Sequence, residues 1–162
     1  MSNGGKRAGS GDGTIVVNRR ARYDYDLGDR YEAGMALTGT EVKSLRAGKA
    51  SLAQAWVKVD EYGEAWLVQA HIPEYEYGNR ENHDPTRQRK LLLKRHELDQ
   101  LVKATQQKGR TLVPTKLYFR NGYAKLQFAV ATGKTEHDKR QTIKERDAKR
   151  EAERAIKDFR RR

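Results

Sequence analysis

Thr115-Lys116-Leu117-Tyr118-Phe119-Arg120-Asn121-Gly122-Tyr123-Ala124-Lys125-Leu126-Gln127-Phe128-Ala129-Val130 is the stretch that decides the fold class. Thr115–Phe119 and Tyr123–Val130 flank Asn121-Gly122, the pair a type I′ turn prefers, so the segment predicts a β-hairpin. Upstream, Leu98, Leu101, Val102 and Thr105 fall at helical spacing, which predicts an amphipathic helix over 95–107 ended by Gly109. Further back, Trp56–Val59 and Glu64–Val68 flank Asp60-Glu61-Tyr62-Gly63, a second hairpin. The polar run from Tyr77 to Arg89 separates the two and predicts an exposed loop.

Nearer the N-terminus, Thr40–Arg46 reads as a short helix, capped by Thr38 or Thr40 and closed by Gly48 in a left-handed conformation. Tyr31, Ala33, Met35 and Leu37 recur at every second position, the pattern of a half-buried strand, and Thr14–Val17 is a short β-branched strand. Short strands joined by hairpins favour a small antiparallel barrel over a doubly wound sheet. The expected fold is mainly β with α: a small OB-like antiparallel β-barrel with peripheral helices and a basic C-terminal tail. Residues 1–13, rich in Gly and Ser, predict a disordered extension, 14–133 the barrel, and 134–162 the tail.

The tail carries 12 basic and 7 acidic residues. Ala152, Ala155, Ile156 and Phe159 form a stripe at helical spacing, and Glu145–Lys149 and Glu153–Lys157 are favourable pairs. So thin a stripe predicts a tail disordered when free and helical when docked. The whole chain of 162 residues carries a formal charge of +12. Such an excess attracts a polyanion by counterion release, and nucleic acid is the default candidate. No apolar run approaches the ~18 residues a membrane span needs. The N-terminus lacks the apolar core of a secretory signal. With no cysteine, neither a disulfide frame nor a thiolate metal site is available, and a cytoplasmic location is expected.

Nothing in the sequence marks an active site. His71, His83, His96 and His137 are scattered without metal-ligand spacing, and neither GxSxG nor GxxxxGK[ST] occurs. Glu81, His83 and Asp84 are close neighbours, but within the polar loop, where solvated side chains are expected. No catalytic residue, metal or cofactor is assigned. Binding is better supported, by three basic segments. Asn18-Arg19-Arg20-Ala21-Arg22-Tyr23 sets three guanidiniums, able to pair phosphates bidentately, beside a ring on which an unpaired base can stack. Asp84 to Lys94 sets Arg87, Arg89, Lys90 and Lys94 around a leucine run whose partial burial would fix the cations on a rigid frame. Gly133 to Arg140 marks the junction of barrel and tail. A solvated basic face is the alternative for each run.

Asn18-Arg19-Arg20-Ala21, Gly34 to Gly39, Glu41 to Lys49, Asp84-Pro85-Thr86-Arg87, Arg89 to Leu93 and His137-Asp138-Lys139-Arg140 occur in the order found in one family. From about Thr14 through the tail the chain strongly resembles the SsrA-binding proteins (small protein B) of bacterial trans-translation. The resemblance implies an OB-like barrel that binds the tRNA-like domain of transfer-messenger RNA, supports its charging with alanine and escorts it to stalled ribosomes. It implies no enzyme activity. The ribosome, through its small-subunit RNA, decoding centre and messenger channel, is the second implied partner. Alanyl-tRNA synthetase and elongation factor Tu are indirect ones, and no membrane is involved.

Family RNA-contact positions fall here on Glu32, Leu92 and Lys94. A carboxylate can accept hydrogen bonds from base amino groups and a ribose 2′-OH, which cations cannot do; an ion pair of Glu32 with Arg22 or Arg30 is the alternative. Asn18, Arg19, Arg20, Arg22, Tyr23, Lys43, Arg46, Arg87, Arg89 and Lys90 complete the set of candidate contacts to the tRNA-like domain. In the tail the resemblance assigns His137 to stacking on a decoding-centre nucleotide, with Lys134, Asp138, Lys139 and Arg140 around it, and Ile156 to accommodation. Two departures stand out: Lys94 replaces the Asn or His of many members, and Ala155 a larger apolar residue.

Overall fold

Asn121 and Gly122 both take positive φ, 51° and 80°, so the turn is the mirror-image type whose twist matches that of its flanking strands. It joins β6 (Arg110–Arg120) and β7 (Tyr123–Gly133), which share the longest ladder of the sheet. The computed structural model describes residues 13–78, 81–134 and 136–161; the side chains of 136–138 and 161 lie outside the described residues, as does the predicted extension up to residue 12. Before this hairpin come β1 (Gly13–Val17), α1 (Arg20–Asp24), β2 (Tyr25–Met35), α2 (Gly39–Arg46), β3 (Trp56–Val59), β4 (Ala65–Val68), β5 (Arg89–Leu92) and α3 (Arg95–Thr105). A final helix, α4, runs from Glu136 to Arg161.

All pairings are antiparallel, in the order β1-β6-β3-β4-β5-β2-β7, and β6 pairs again with β7. The ladder therefore closes into a ring, the OB-like arrangement expected from the strand order. β6 makes this possible by changing partners along one edge. Its C-terminal half pairs with β1, while Leu112 meets Val57 of β3. That pair is the whole registered seam between β3 and β6. Inside the ring lie Leu67, Leu112, Leu117, Leu126 and Phe128, with Leu45 of α2 and Leu101 of α3 packed in the same cluster. Tyr31 stacks on Phe128 at 5.6 Å between centroids.

Three readings of the sequence are corrected. Arg20–Asp24 is a helix where only a basic run was expected. The polar run is not wholly exposed: His83 is buried, its ring 2.9 Å from Thr40 Oγ1 and 2.8 Å from the Ile72 carbonyl oxygen. Arg89 is fully buried on β5 and cannot reach RNA. Its Nε donates to Glu41 Oε2 at 2.6 Å, Nη1 to the Ala70 carbonyl at 2.6 Å and Nη2 to the Pro85 carbonyl at 2.9 Å. Glu41, equally buried, also accepts from Arg87 Nε at 3.1 Å and from the Thr38 amide at 2.9 Å, which closes a capping box on α2. Burial alone would push the Glu41 carboxyl up. The hydrogen bonds from Arg87, Thr38 and Arg89 outweigh it and hold the group below its ordinary range.

Candidate nucleic-acid interface

Strand alternation sorts β7 into an inner set, Leu126, Phe128 and Val130, and an outer set beginning Tyr123, Lys125, Gln127. Cross-strand register then assembles the outer face. Tyr118 of β6, Lys125 of β7, Gly34 of β2 and Leu92 of β5 lie in one row across four strands. Lys116, Gln127 and Glu32 form the next row. A Cβ built on Gly34 would lie 3.4 Å from Leu92 Cβ and 3.7 Å from Lys125 Nζ, ordinary contact distances, so Leu92 and Lys125 both lie over this glycine. Leu92 is 54% exposed on a strand whose neighbour Leu91 is buried. An apolar side chain in the open beside an ammonium group is what a base edge or face can pack against.

Glu32 stands at the centre of this face, though not with the partners expected. It accepts from the Tyr118 hydroxyl, and Arg120 Nη1 lies 3.3 Å from Oε2; Arg22 and Arg30 make no ion pair with it. The Tyr118 hydrogen bond, with the charge of Arg120, holds the Glu32 carboxyl below its ordinary range. Burial and the bond to Glu32 push the Tyr118 phenol up, so it stays a donor. Oε1 and Oε2 each retain lone-pair capacity for an incoming donor. Lys116 Nζ sits 5.0 Å over the Tyr118 ring. Tyr118, Arg120, Lys125, Lys116 and Gln127 were not singled out in the sequence, although the alternation flanking Asn121-Gly122 would have placed them on one face.

The remaining candidates fall in three places. Lys94 is exposed at the start of α3, directly beyond Leu92 on β5, and its amide donates to Glu97 Oε1 at 3.1 Å. Lys90 is paired with Glu64 at 3.1 Å, and half-buried Arg87 is bound to Glu41. Lys43 and Arg46 are exposed on α2, Lys43 lying 5.5 Å over the Tyr75 ring. At and on α1, the N-cap Arg19 and the helical Arg20 and Arg22 are exposed, and Asn18 is tied to the Pro114 carbonyl at 2.9 Å.

Two tail lysines hold α4 against α1. Lys134 Nζ donates to the Arg22 carbonyl and to Thr142 Oγ1, both at 2.8 Å. Lys139 lies 3.6 Å from Asp24 Oδ1 and 5.7 Å over the Tyr23 ring. Arg140 is exposed, as is Ile156 at 53%. The side chains of His137 and Asp138 lie outside the described residues. Among the described residues no cluster could hold a metal ion, and no helix is long and apolar enough to cross a membrane.

A family model described as "SmpB protein" matches residues 15–158. An SsrA-binding protein of Thermobifida fusca (strain YX) is 58% identical over 149 residues, covering 92% of both chains. Another, from Shouchella clausii (strain KSM-K16), is 51% identical over 148 residues, 91% of this chain and 94% of that one. A chain in the solved structure "tmRNA-SmpB: a journey to the center of the bacterial ribosome" is 48% identical, with a TM-score of 0.64 over 79% of this chain and 93% of that one. Sequence and fold agree over nearly the whole chain, which therefore belongs to the SmpB protein family.

Proposed function

We propose that this chain is a cytoplasmic RNA-binding protein, not an enzyme, that captures the tRNA-like domain of transfer-messenger RNA and delivers it to stalled ribosomes. Family membership across residues 15–158 carries the reading. The outer sheet face supports it, because Glu32, Leu92 and Lys125 bring a carboxylate acceptor, an exposed apolar side chain and a cation into two adjacent rows. Lys94, Lys43, Arg46 and the α1 arginines contact the RNA backbone. The tail, with His137, Asp138, Arg140 and Ile156, reads the empty messenger channel and decoding centre. Sequencing the RNA recovered with the tagged protein from cells tests the whole reading: transfer-messenger RNA should dominate, and uniform recovery of ribosomal RNA would point to a constitutive ribosomal protein.

Glu32→Ala should weaken binding of the isolated tRNA-like domain by about 1–3 kcal/mol, the range for a hydrogen bond to a charged group. The loss should persist across a salt series, since an acceptor for base donors releases no counterions. Wild-type affinity at every salt concentration would leave Glu32 as a partner of Tyr118 and Arg120 only.

Deleting residues 134–162 should leave a folded barrel that still captures the RNA, because the last registered pair of the ring is Tyr25 with Gly133. Peptide tagging on stalled ribosomes should fail. An unfolded truncation, or capture weakened more than about tenfold (roughly 1.4 kcal/mol), would end this division of labour.

A further inference from the structure

A glutamate on an open strand face can take several rotamers, and one that is ordered only when a ligand arrives lowers affinity by the freedom it loses. Glu32 is held in advance. In the sheet its strand β2 is followed by β7 and then β6, and the register sets Glu32 beside Gln127 and Gln127 beside Lys116. Tyr118 stands two residues on from Lys116, opposite Lys125. Its side chain therefore crosses the intervening strand diagonally to bring its hydroxyl to Glu32 Oε2. Alternation dictates the face, since Leu117 and Phe119 on either side of Tyr118 are buried in the core. The half-buried ring is covered in turn by Lys116, whose Nζ lies 5.0 Å from its centroid.

Two groups touch the Glu32 carboxylate, and they do not hold it equally. Arg120 Nη1 lies 3.4 Å from Oε1 and 3.3 Å from Oε2, long contacts from a side chain that is 63% exposed. Ion pairs of that kind are screened by salt and fix little. Tyr118 has only two torsions to order, so it holds its hydroxyl in place at small entropic cost. We infer that Tyr118 is a positioning residue for RNA capture, which fixes the Glu32 carboxylate from the side and leaves its remaining lone pairs for donors on the RNA. The inference deepens the sheet-face reading and rests on it. The same bond favours the ionised carboxylate. Arg120 from β6 and Lys125 from β7 act in the same direction, against the desolvation of the group.

Tyr118→Phe in the full chain removes the hydroxyl and keeps the ring. Affinity for the isolated tRNA-like domain should fall about two- to tenfold, the equivalent of one long side chain ordered on binding. On a Glu32→Ala background the same substitution should cost nothing further, because no carboxylate is left to hold. Glu32, followed by NMR in the RNA-free protein, should titrate at higher pH in Tyr118→Phe than in the wild type. Binding needs the ionised acceptor, so its loss on acidification should also begin at higher pH in the variant. A ring with a merely structural role, or one that touches RNA itself, would cost as much affinity on the Glu32→Ala background and leave the titration where it was. That result overturns the inference, as does wild-type affinity of Tyr118→Phe beside a weakened Glu32→Ala. Wild-type binding by Glu32→Ala is a different failure: it removes the sheet-face reading, and the positioning role falls with it.

Discussion

Glu41→Ala should lower the unfolding free energy by about 3–5 kcal/mol, the cost of removing one partner from a buried ion pair. Whole domains are stable by only about 5–15 kcal/mol, so the variant stands close to unfolding. Glu41 is fully buried and, among the described residues, is the only carboxylate ion-paired with Arg87 and Arg89. Arg89, itself without exposure, would be left as a buried cation with carbonyl partners alone. The α2 capping box would be lost as well. Urea unfolding should show a much lower midpoint at an unchanged slope. In the wild type the Glu41 pKa is lower in the folded chain than in the unfolded one. Its contribution is thus fully present above the ordinary carboxylate range and is lost as pH falls through the depressed value. A loss below about 1 kcal/mol would mean that water reaches Arg89 and that the triad behaves like a surface pair.

Ile156→Pro should abolish peptide tagging on stalled ribosomes while leaving RNA capture unchanged. Proline inside a helix costs about 3 kcal/mol, removes an amide donor and clashes with the preceding turn. Ile156 lies well inside α4, five residues from its end, and with Phe159, 81% exposed, it forms an apolar stripe. Ile156 and Phe159 are too exposed to stabilise the barrel, so thermal unfolding of the core should be unaltered. Ile156→Leu keeps volume and helix propensity and should tag normally. Normal tagging by the proline variant would mean that the tail acts as an extended basic strand.

Local chemistry was readable from the chain, and meetings between distant residues were not. Asn121-Gly122 demands its turn whatever surrounds it, and Thr38 with Glu41 spells a helix start in four residues. The family motifs led to Glu32 and Leu92, but not to what holds them. Glu32 meets Tyr118 across 86 positions, and Glu41 meets Arg89 across 48. No window spans such distances, so Arg89 looked like one more surface cation. Five-residue α1, with three charges and little periodicity, gave no helical signal. β5 was hidden because its inward residues, Arg89 and Leu91, alternate a charge with a leucine.

The ring's closure sets when this chain can fold as it is being made. β1 waits for β6 and most of β2 waits for β7, and both strands emerge late in synthesis. Before β6 has been added, only β2, β5, β4 and β3 can associate, as an open sheet with an unpaired edge on either side, and the β2 edge stays open until β7 follows. Open edges invite pairing with other chains, and a nascent chain lengthens by only about 5–20 residues per second. The vulnerable interval ends when the Asn121–Gly122 hairpin zips and supplies partners to β1, β2 and β3 together. Folding speed should therefore respond most to substitutions in that turn, a local element on which all the long-range closure depends.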